Sequence, residues 1–362
     1  MVSALTSIPL ASLTTSRVGG PARRYINAET EDELIGAVRA ADEAKEPLLI
    51  VGGGSNLLIS DAGFDGAVVH VATLGLELTE TAGGTVTVRA QAGHPWDEVV
   101  AQTLREGCSG LEALSGIPGL AGATPVQNVG AYGADVSHSI TGVRAWDRQD
   151  RAVVTFTNED LAFGYRDSLL KRSTVNGSPR YVVLTVDFGL ARGMDSAPVR
   201  YAELARALGV QVGERAAADD VRREVLRLRA GKGMVLDPAD PDTFSTGSFF
   251  TNPVVSEEAA AHLPPDAPRY PVSQPGMVKL SAAWLIDRSG FPKGFGLPST
   301  GQGTELAGGR ASLSTKHTLA VTNRGTATAD DLLAIARAVA DGVEDAFGIR
   351  LRPEPLLINC SL

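Results

Sequence analysis

The alternation of apolar and polar residues marks out the first elements of the chain. The segment TEDE at residues 30–33 has the form of a helix capping box, and Leu34, Val38 and Ala41 then recur on one helical face. The apolar run PLLIV follows and ends in the loop GGGSN. This order predicts a helix, a buried strand and a glycine loop.

From about Gly66 the pattern changes to that of β-strands. The segments GAVVHV and TVTVRAQAG are typical of strands, the second with period-two alternation, and VRAWDRQDRAVVTF predicts a hairpin that turns around Asp147–Asp150. A helix over Trp96–Glu106, closed by Gly107, is expected to interrupt these strands.

The last part of the chain returns to helical periodicity. Val221, Val225 and Leu228 predict an amphipathic helix, and the polar stretch after it places a domain boundary near Gly231. Beyond it we expect a short helix near SAAWLIDRSG, a strand at TLAVTN, a helix over residues 329–347 and a final strand in RLRPEPLLI.

Composition narrows the class of protein. A chain of 362 residues predicts two or three compact units. The net charge of -9 and the lack of a dense Lys/Arg cluster disfavour nucleic acid or an anionic membrane as the main partner. Cys108 and Cys360 lie far apart without ligands at metal-binding spacing, so we expect reduced thiols and no metal site. No export signal or bilayer-spanning run is seen, and a cytoplasmic protein is expected.

Two glycine-rich loops are candidates for binding a cofactor. GGGSN follows an apolar strand, where backbone N–H groups can approach a phosphate without obstruction, although the loop can also be a plain tight turn. The longer GIPGLAGATPVQNVGAYGAD has few charges and small residues, which suit contact between a large cofactor and backbone. Its alternative interpretation is an irregular connection.

A third segment, TGSFFTNP, places the hydroxyl of Ser248 between a glycine and two phenylalanines. A serine in this setting is commonly a cap of a turn or helix. The alternative is a chemical role for the hydroxyl group.

These segments, taken with VGGPARRY, FGYRDS and the terminal RPEP, occur in the order found in one family. The chain resembles the UDP-N-acetylenolpyruvoylglucosamine reductases of peptidoglycan synthesis, over nearly its whole length. It departs from some relatives at Gly53, where they carry an acidic residue, and at Thr251, where they carry lysine.

The resemblance implies an α+β fold with a two-part FAD-binding domain of the vanillyl-alcohol-oxidase/PCMH type and a C-terminal α+β substrate-binding domain. The expected FAD-binding parts are residues 1–72, joined by the C-terminal strand 350–362, and residues 73–230. The expected substrate-binding domain is residues 231–349.

The resemblance also implies the cofactors FAD and NADPH, with FAD bound non-covalently by the two glycine loops. The positions that match are Gly52, Gly53, Gly54, Ser55, Asn56, Ile117, Pro118, Gly119, Gly122, Ala123, Thr124, Gln127, Asn128, Gly130, Ala131 and Gly133.

The implied substrate is UDP-N-acetylglucosamine-enolpyruvate. In the family, NADPH reduces FAD, the substrate replaces NADPH, and the flavin N5 delivers hydride to the enolpyruvyl C3. The matching catalytic positions are Arg166, Ser248 as the proton donor to C2, and Glu354. Arginine can grip the substrate carboxylate and stabilise the enolate, although Arg166 can also be an ion-pair partner of Asp167. Glu354 can equally be a solvated surface group.

Four further residues are candidates for contacting the substrate: Tyr201, Lys232, Asn252 and His317. A phenol and an ammonium are suitable partners for the diphosphate. Lys232 can instead be a solvated charge, and His317 can be structural. No protein partner is identified from the sequence.

Two rival functions remain at this point. The same flavin-binding fold supports oxidases of alcohols or aldonolactones, but those often tether flavin through a histidine in the phosphate loop, and GGGSN has none. A non-catalytic UDP-sugar-binding protein is the second rival, and the presence of Arg166, Ser248 and Glu354 together argues against it.

Overall fold

A computed structural model describes residues 4–81, 83–175, 177–272 and 274–362. The helices in these ranges are α1 Glu31–Glu43, α2 Trp96–Arg105, α3 Asn158–Leu161, α4 Leu169–Arg172, α5 Ala202–Leu208, α6 Ala218–Gly231, α7 Glu257–Ala260, α8 Ala282–Arg288, α9 Thr304–Ala307 and α10 Ala329–Phe347. The strands are β1 Ala4–Leu5, β2 Ile8–Pro9, β3 Pro21–Ala28, β4 Leu48–Val51, β5 Leu57–Ile59, β6 Phe64–Val71, β7 Leu76–Thr81, β8 Thr85–Gln91, β9 Cys108–Ser109, β10 Gly130–Ala131, β11 Ala134–Asp135, β12 Ile140–Asp147, β13 Ala152–Thr157, β14 Thr174–Val175, β15 Ser178–Pro179, β16 Tyr181–Arg192, β17 Val254–Ser256, β18 Arg269–Pro271, β19 Met277–Leu280, β20 Ala311–Leu313, β21 Val321–Asn323 and β22 Leu356–Ile358.

The chain forms two compact units. The first comprises Met1–Ile8, Ala22–Gly54 and Phe64–Val235, and the second comprises Pro9–Pro21, Ser55–Gly63 and Leu236–Leu362. The change of unit after Val235 follows closely on the end of α6. The finer division at residues 72, 230 and 349 stays a prediction.

The two larger sheets described in the first unit share one core. One sheet has the order β1-β3-β6-β4, with β3, β6 and β4 parallel. The other is antiparallel with the order β13-β12-β16-β8-β7. Buried residues of α1, α2 and both sheets belong to the same hydrophobic cluster, which includes Leu34, Trp96 and Phe188.

Local sequence signals explain the elements that border this core. The capping box before α1 is confirmed, since Glu33 N donates to Thr30 Oγ1 at 3.2 Å and Thr30 N donates to Glu33 Oε2 at 3.3 Å. The predicted helix at 96–106 is α2, and Gly107 follows its C-cap with φ of +68°. The predicted hairpin is β12–β13, in which Asp147 faces Ala152.

The second unit has its core around α10, whose bounds agree with the predicted helix. Thr328 caps α10 in a second capping box, and Gly348 ends it with φ of +67°. The buried face of α10 packs with α8 and with the β20–β21 pair in one hydrophobic cluster. The predicted short helix is confirmed as α8, and the predicted TLAVTN strand is confirmed only over Val321–Asn323.

The predicted final strand is wrong in its extent. Only Leu356–Ile358 pairs as a strand, parallel to Leu57–Ile59. Pro353 and Pro355 have no N–H group to donate to a ladder, which explains the late start of the strand. The RPEP segment instead runs beside the two phenylalanines, with a bridge between Phe250 and Pro353.

The described ranges contain neither a helix suited to span a membrane nor a cluster suited to hold a metal ion. None of their helices combines the length and apolar character needed to cross a membrane. Within the same ranges, no group of three or more His, Cys, Asp or Glu side chains has the arrangement of a metal site.

Candidate active site

The two glycine loops of the first unit touch backbone to backbone. A Cβ atom on Gly53 would lie 2.7 Å from Cα of Gly119, a distance that real Cβ contacts do not reach. Gly122 is equally confined, because its Cβ would lie 2.5 Å from Cβ of Ala92. The absence of an acidic side chain at position 53 thus has a steric reason in this chain.

Backbone hydrogen bonds fix the longer loop. Ala121 N donates to His94 O at 2.9 Å, and Gly122 N donates to Ala92 O at 2.9 Å. The buried Thr124 hydroxyl donates to Ala121 O at 2.7 Å. Within the described part of the chain, Gln127 Nε2 is buried and has no hydrogen-bond acceptor. A buried donor of this kind, beside backbone that excludes side chains, fits a FAD that supplies polar atoms.

The Asn128 side chain joins this loop to the segment that carries Arg166. Asn128 Nδ2 donates to Gly164 O at 2.9 Å, and its Oδ1 accepts from Ser137 N at 3.2 Å. Both ends of the amide therefore hold protein backbone. The predicted FAD contact of Asn128 is an expectation for its backbone rather than for its amide group.

Arg166 projects from a tight turn against the same loop. Gly164 and Asp167 pair across the turn, with Gly164 N donating to Asp167 O at 2.9 Å. Arg166 has φ of +52°, which is uncommon for a residue other than glycine and is typical of functional sites. Its Nη2 donates to Gly130 O at 2.8 Å, and the Asp167 carboxylate forms an ion pair with Arg172.

An aromatic and charged cluster includes two of the predicted substrate residues. The rings of Tyr132 and Tyr201 meet edge to face at 5.5 Å, and Lys232 Nζ lies 5.8 Å from the centre of the Tyr132 ring. Lys232 Nζ also lies 2.7 Å from Glu203 Oε2. Burial is the largest influence and acts to lower the pKa of Lys232, but the Glu203 hydrogen bond and the charges of Tyr132, Glu203 and Tyr201 together outweigh it, so the pKa is raised. Lys232 is therefore a paired cation rather than the solvated charge considered as its alternative.

Arg229 is a member of this cluster that sequence reasoning missed. Its Nη2 donates to Met234 O at 2.8 Å, and Arg229 lies against Gly116 of the long loop. Burial lowers the pKa of Arg229 to about 10, so it keeps its charge at neutral pH. Arg229 lies four residues after Val225, on the apolar stripe of α6. This spacing was the sequence signal that could have identified it as a buried residue.

The second unit holds Ser248. The Ser248 hydroxyl lies 3.3 Å from His317 Nε2, and both side chains are half-buried. Gly247, with φ of +77°, precedes the serine. In the described ranges Ser248 is not the N-cap of any helix, so the capping interpretation is wrong for helices.

The RPEP segment brings Glu354 next to the serine segment. Glu354 N donates to Phe249 O at 2.8 Å, and Phe249 N donates to Leu319 O at 2.7 Å. Asn56 Nδ2 donates to Glu354 O at 3.5 Å, and Leu356 N donates to Asn56 O at 2.9 Å. Backbone and side-chain contacts thus gather Asn56, Ser248, His317 and Glu354 in one part of the second unit.

Asn252 has a structural role in the same unit. Its Oδ1 accepts a hydrogen bond from Ala282 N at 2.9 Å, at the first residue of α8. The predicted contact of Asn252 with UDP stays a prediction.

The predicted FAD positions fall into both units. Gly52–Gly54 and those at 117–133 belong to the first unit, whereas Ser55 and Asn56 belong to the second. Of the catalytic positions, Arg166 is in the first unit and Ser248 and Glu354 are in the second.

Comparison with known proteins gives consistent matches. Residues 22–156 match the FAD binding domain family, and residues 238–358 match the UDP-N-acetylenolpyruvoylglucosamine reductase C-terminal domain family. The UDP-N-acetylenolpyruvoylglucosamine reductase of Saccharopolyspora erythraea is 53% identical, over 98% of this chain and 95% of its own length. The enzyme of that name from Streptomyces coelicolor is 51% identical, over 100% of this chain and 92% of its own.

A solved structure agrees with these matches. The crystal structure of UDP-N-acetylenolpyruvylglucosamine reductase from Thermus caldophilus is 25% identical, covers 99% of each chain and has a TM-score of 0.64. The predicted fold class is confirmed. FAD is confirmed as the cofactor, with NADPH as the reductant of the family. The chain belongs to the UDP-N-acetylenolpyruvoylglucosamine reductase family and is an FAD-dependent oxidoreductase of peptidoglycan precursor synthesis.

Proposed function

We propose that this enzyme uses NADPH to reduce the enolpyruvyl ether of UDP-N-acetylglucosamine-enolpyruvate, giving UDP-N-acetylmuramate. The observation that carries the proposal is the Ser248 hydroxyl, which caps no helix in the described ranges and lies 3.3 Å from His317 Nε2. Family membership and the nearby Glu354 support it. NADPH and UDP-sugars are metabolites of the cytoplasm, and we place the reaction there.

FAD would be held by the glycine loops of the first unit. Gly53 and Gly122 leave no room for side chains there, and the buried Gln127 Nε2 offers a donor to a polar cofactor. When bound, FAD supplies the two-electron chemistry that connects NADPH to the sugar. No histidine is present in GGGSN, which supports non-covalent binding.

Arg166 would bind the carboxylate of the enolpyruvyl group. A guanidinium group can hold two carboxylate oxygens at once and keeps its charge at any physiological pH. Hydride addition at C3 leaves negative charge at C2 and on the carboxylate, and a fixed cation stabilises that charge as it develops. The turn at Gly164–Asp167 and the Gly130 carbonyl support the orientation of this side chain.

Ser248 would give its hydroxyl proton to C2. A carbanion at C2 is a strong base, but an alcohol is a weak acid and needs neighbours that orient it and share the charge. His317 is such a neighbour, and Glu354 is tied through its backbone to the residue after Ser248. Glu354 would assist the proton transfer or orient the substrate.

The UDP part would bind to Tyr201 and Lys232. An exposed phenol and a paired ammonium group give one hydrogen-bonding surface and one cation suited to a diphosphate. Asn252 and His317 would contact the substrate from the second unit. Arg229 adds a further positive charge to the cluster that contains Lys232.

An anaerobic stopped-flow experiment tests the proposal. The purified protein should be yellow, NADPH should bleach the flavin, and the enolpyruvyl sugar should restore its colour in the absence of oxygen. Oxygen consumption with alcohols or aldonolactones, and no response to the sugar, would instead indicate an oxidase. A colourless protein that cannot be reconstituted with FAD but binds the UDP-sugar would indicate a non-catalytic binding protein.

A further inference from the structure

The contact between Ser248 and His317 joins two loops that are far apart in the chain. Ser248 follows the Gly247 turn, and His317 lies in the segment between β20 and β21. The ring atom that faces the serine hydroxyl is Nε2, at 3.3 Å. An imidazole nitrogen can accept a proton from a hydroxyl group or, when protonated, donate one to its oxygen.

The loop that carries His317 is fixed on several sides. His317 N donates to Ser314 Oγ at 3.1 Å, and Thr315 N donates to Asp242 Oδ1 at 2.8 Å. The Thr318 hydroxyl donates to Asp287 Oδ1 of α8 at 3.1 Å. These contacts hold the histidine backbone on both sides of the ring, so the ring approaches Ser248 from a constrained position.

The proposed function leaves a question about the proton of Ser248. Each turnover consumes that proton, and a serine alkoxide is too basic to persist as a free product of the transfer. A group beside the hydroxyl must therefore return a proton as the first one leaves. His317, whose Nε2 lies 3.3 Å from the Ser248 hydroxyl, is one candidate for this group in the second unit.

We propose that His317 acts through Ser248, by holding its hydroxyl group and returning its proton during the transfer to C2. This inference rests on the proposed function. As the C–H bond forms at C2, the Ser248 O–H bond breaks, and the Nε2–H bond of the imidazolium breaks to give a new Ser248 O–H bond. The neutral imidazole then takes a proton from water. The sum is one proton taken up from solvent for each sugar reduced.

Charged groups lie on several of the elements around His317. Asp240 is paired with Lys316, and Asp242 is paired with Arg324. Those two acids are neutralised by the cations beside them. Asp287 of α8 and Glu354 beside the serine segment add negative charge to this part of the unit.

The test follows flavin reoxidation by the enolpyruvyl sugar as a function of pH, in the holoenzyme and in His317→Gln. In the wild type the rate should fall as pH rises through the pKa of His317, because the neutral ring cannot return a proton. In His317→Gln the rate near pH 6 should be about 10- to 100-fold lower and nearly independent of pH across the histidine range. NADPH should still reduce the flavin of the variant fully, which shows that the variant is folded and holds its cofactor.

NMR of the imidazole nitrogens gives a readout independent of turnover. The chain has five histidines, so the resonance missing in His317→Gln identifies this ring. Its pKa in the oxidised holoenzyme should match the kinetic pKa, and Ser248→Ala should alter the chemical shift of its Nε2. The exposed His262 provides the matched control, and His262→Gln should leave the pH profile unchanged.

Each outcome has a defined meaning. A wild-type enzyme that is not reoxidised by the sugar contradicts the proposed function itself. A wild type that reacts normally, with the same rates and the same pH profile in His317→Gln, overturns the role of His317 alone. A His317 ring that does not titrate between about pH 5.5 and 9 overturns it as well.

Discussion

Gly53 and Gly119 meet so closely that a methyl group on Gly53 would lie 2.7 Å from the Cα atom of Gly119. Both residues belong to loops in the same unit, and Gly119 has φ of +120°, a conformation that favours glycine. The close approach of these two loops, which we propose as the FAD site, therefore requires glycine at both positions.

Gly53→Ala should impair FAD binding, because the two loops must separate to accept the methyl group. The expected result is at least a 10-fold weaker affinity for FAD, measured by flavin fluorescence during reconstitution of the apoprotein. Gly52→Ala should have a smaller effect, since its Cβ would meet only the Leu120 side chain at 3.4 Å. Gly36→Ala in α1, where no atom lies within 4 Å, is the control and should stabilise the protein slightly. Equal FAD affinity in all three variants would contradict the prediction.

FAD bound in this way should also be dissociable. Acid precipitation should release the flavin into the supernatant, because the proposed site would hold it through backbone amides and glycine loops rather than a covalent bond. Absorbance that stays in the pellet would show a covalent attachment.

Arg166→Lys should lose turnover although it keeps the charge. A lysine cannot hold both carboxylate oxygens, so reoxidation of the flavin by the sugar should slow by about 100-fold or more while reduction by NADPH survives. Arg172→Lys is the matched control, since that arginine pairs with Asp167. Wild-type rates of sugar reduction in Arg166→Lys would remove Arg166 from the role of enolate stabiliser.

Ser248→Ala should damage one half-reaction. Reduction by NADPH protonates no substrate carbon and should stay near the wild-type rate, whereas reduction of the sugar should fall by about two to four powers of ten. Ser248→Cys should retain more activity than the alanine variant, because the thiol has a proton to give. Ser281, which caps α8, is the control: Ser281→Ala should cost about 1 kcal/mol of stability and leave both half-reactions intact. A normal reoxidation rate in Ser248→Ala would exclude the proton-donor role.

Lys232→Met and Tyr201→Ala should raise the KM for the UDP-sugar by about 10-fold or more, since each removes a diphosphate or nucleotide contact. The rate of flavin reduction by NADPH should change little. Lys45→Met, at an exposed position of the same unit, should leave the KM unchanged. An unchanged KM in Lys232→Met would show that its pair with Glu203 is structural.

Acid stability should depend on Asp147. Its side chain is 2% exposed and pairs with Arg180, whose hydrogen bond holds the pKa of Asp147 below its usual range. The stabilisation is present above the pKa of the unfolded state, near 3.9, and is lost as pH falls through the lower pKa of the folded state. Asp147→Asn should cost about 3 kcal/mol at pH 7, and the difference from the wild type should shrink below about pH 4 in urea unfolding. Asp150→Asn, at a side chain that is 65% exposed, should change the free energy of unfolding by less than about 0.5 kcal/mol.

Local signals were sufficient for α1, α2, α6, α8 and α10 and for the β12–β13 hairpin, whereas the short helices α3, α4, α5, α7 and α9 were not predicted. The capping residues Thr30 and Thr328 and the apolar stripe of α10 specify their elements without help from distant parts of the chain. The final strand was overestimated, because the prolines at 353 and 355 remove the donors that a strand would need. The pattern of apolar residues alone does not show that these backbone N–H donors are missing.

The site was predictable in its residue types but not in its contacts. Ser248 and His317 are 69 positions apart, and their approach depends on how the loop between β20 and β21 packs. Arg229 was missed because an arginine is normally expected to extend into solvent. Here its side chain is buried against Gly116 of the long glycine loop.

The Asn128 amide links the long glycine loop to Gly164 and so connects binding at Arg166 with the proposed flavin site. If a molecule binds at Arg166, any displacement of the turn at Gly164–Asp167 would reach the long glycine loop, which we propose as part of the flavin site, through the hydrogen bond of Asn128 to Gly164. An inhibitor of the arginine site should therefore change the colour of the enzyme even without touching the isoalloxazine ring. The absorbance spectrum of the bound flavin would then report the binding of such inhibitors.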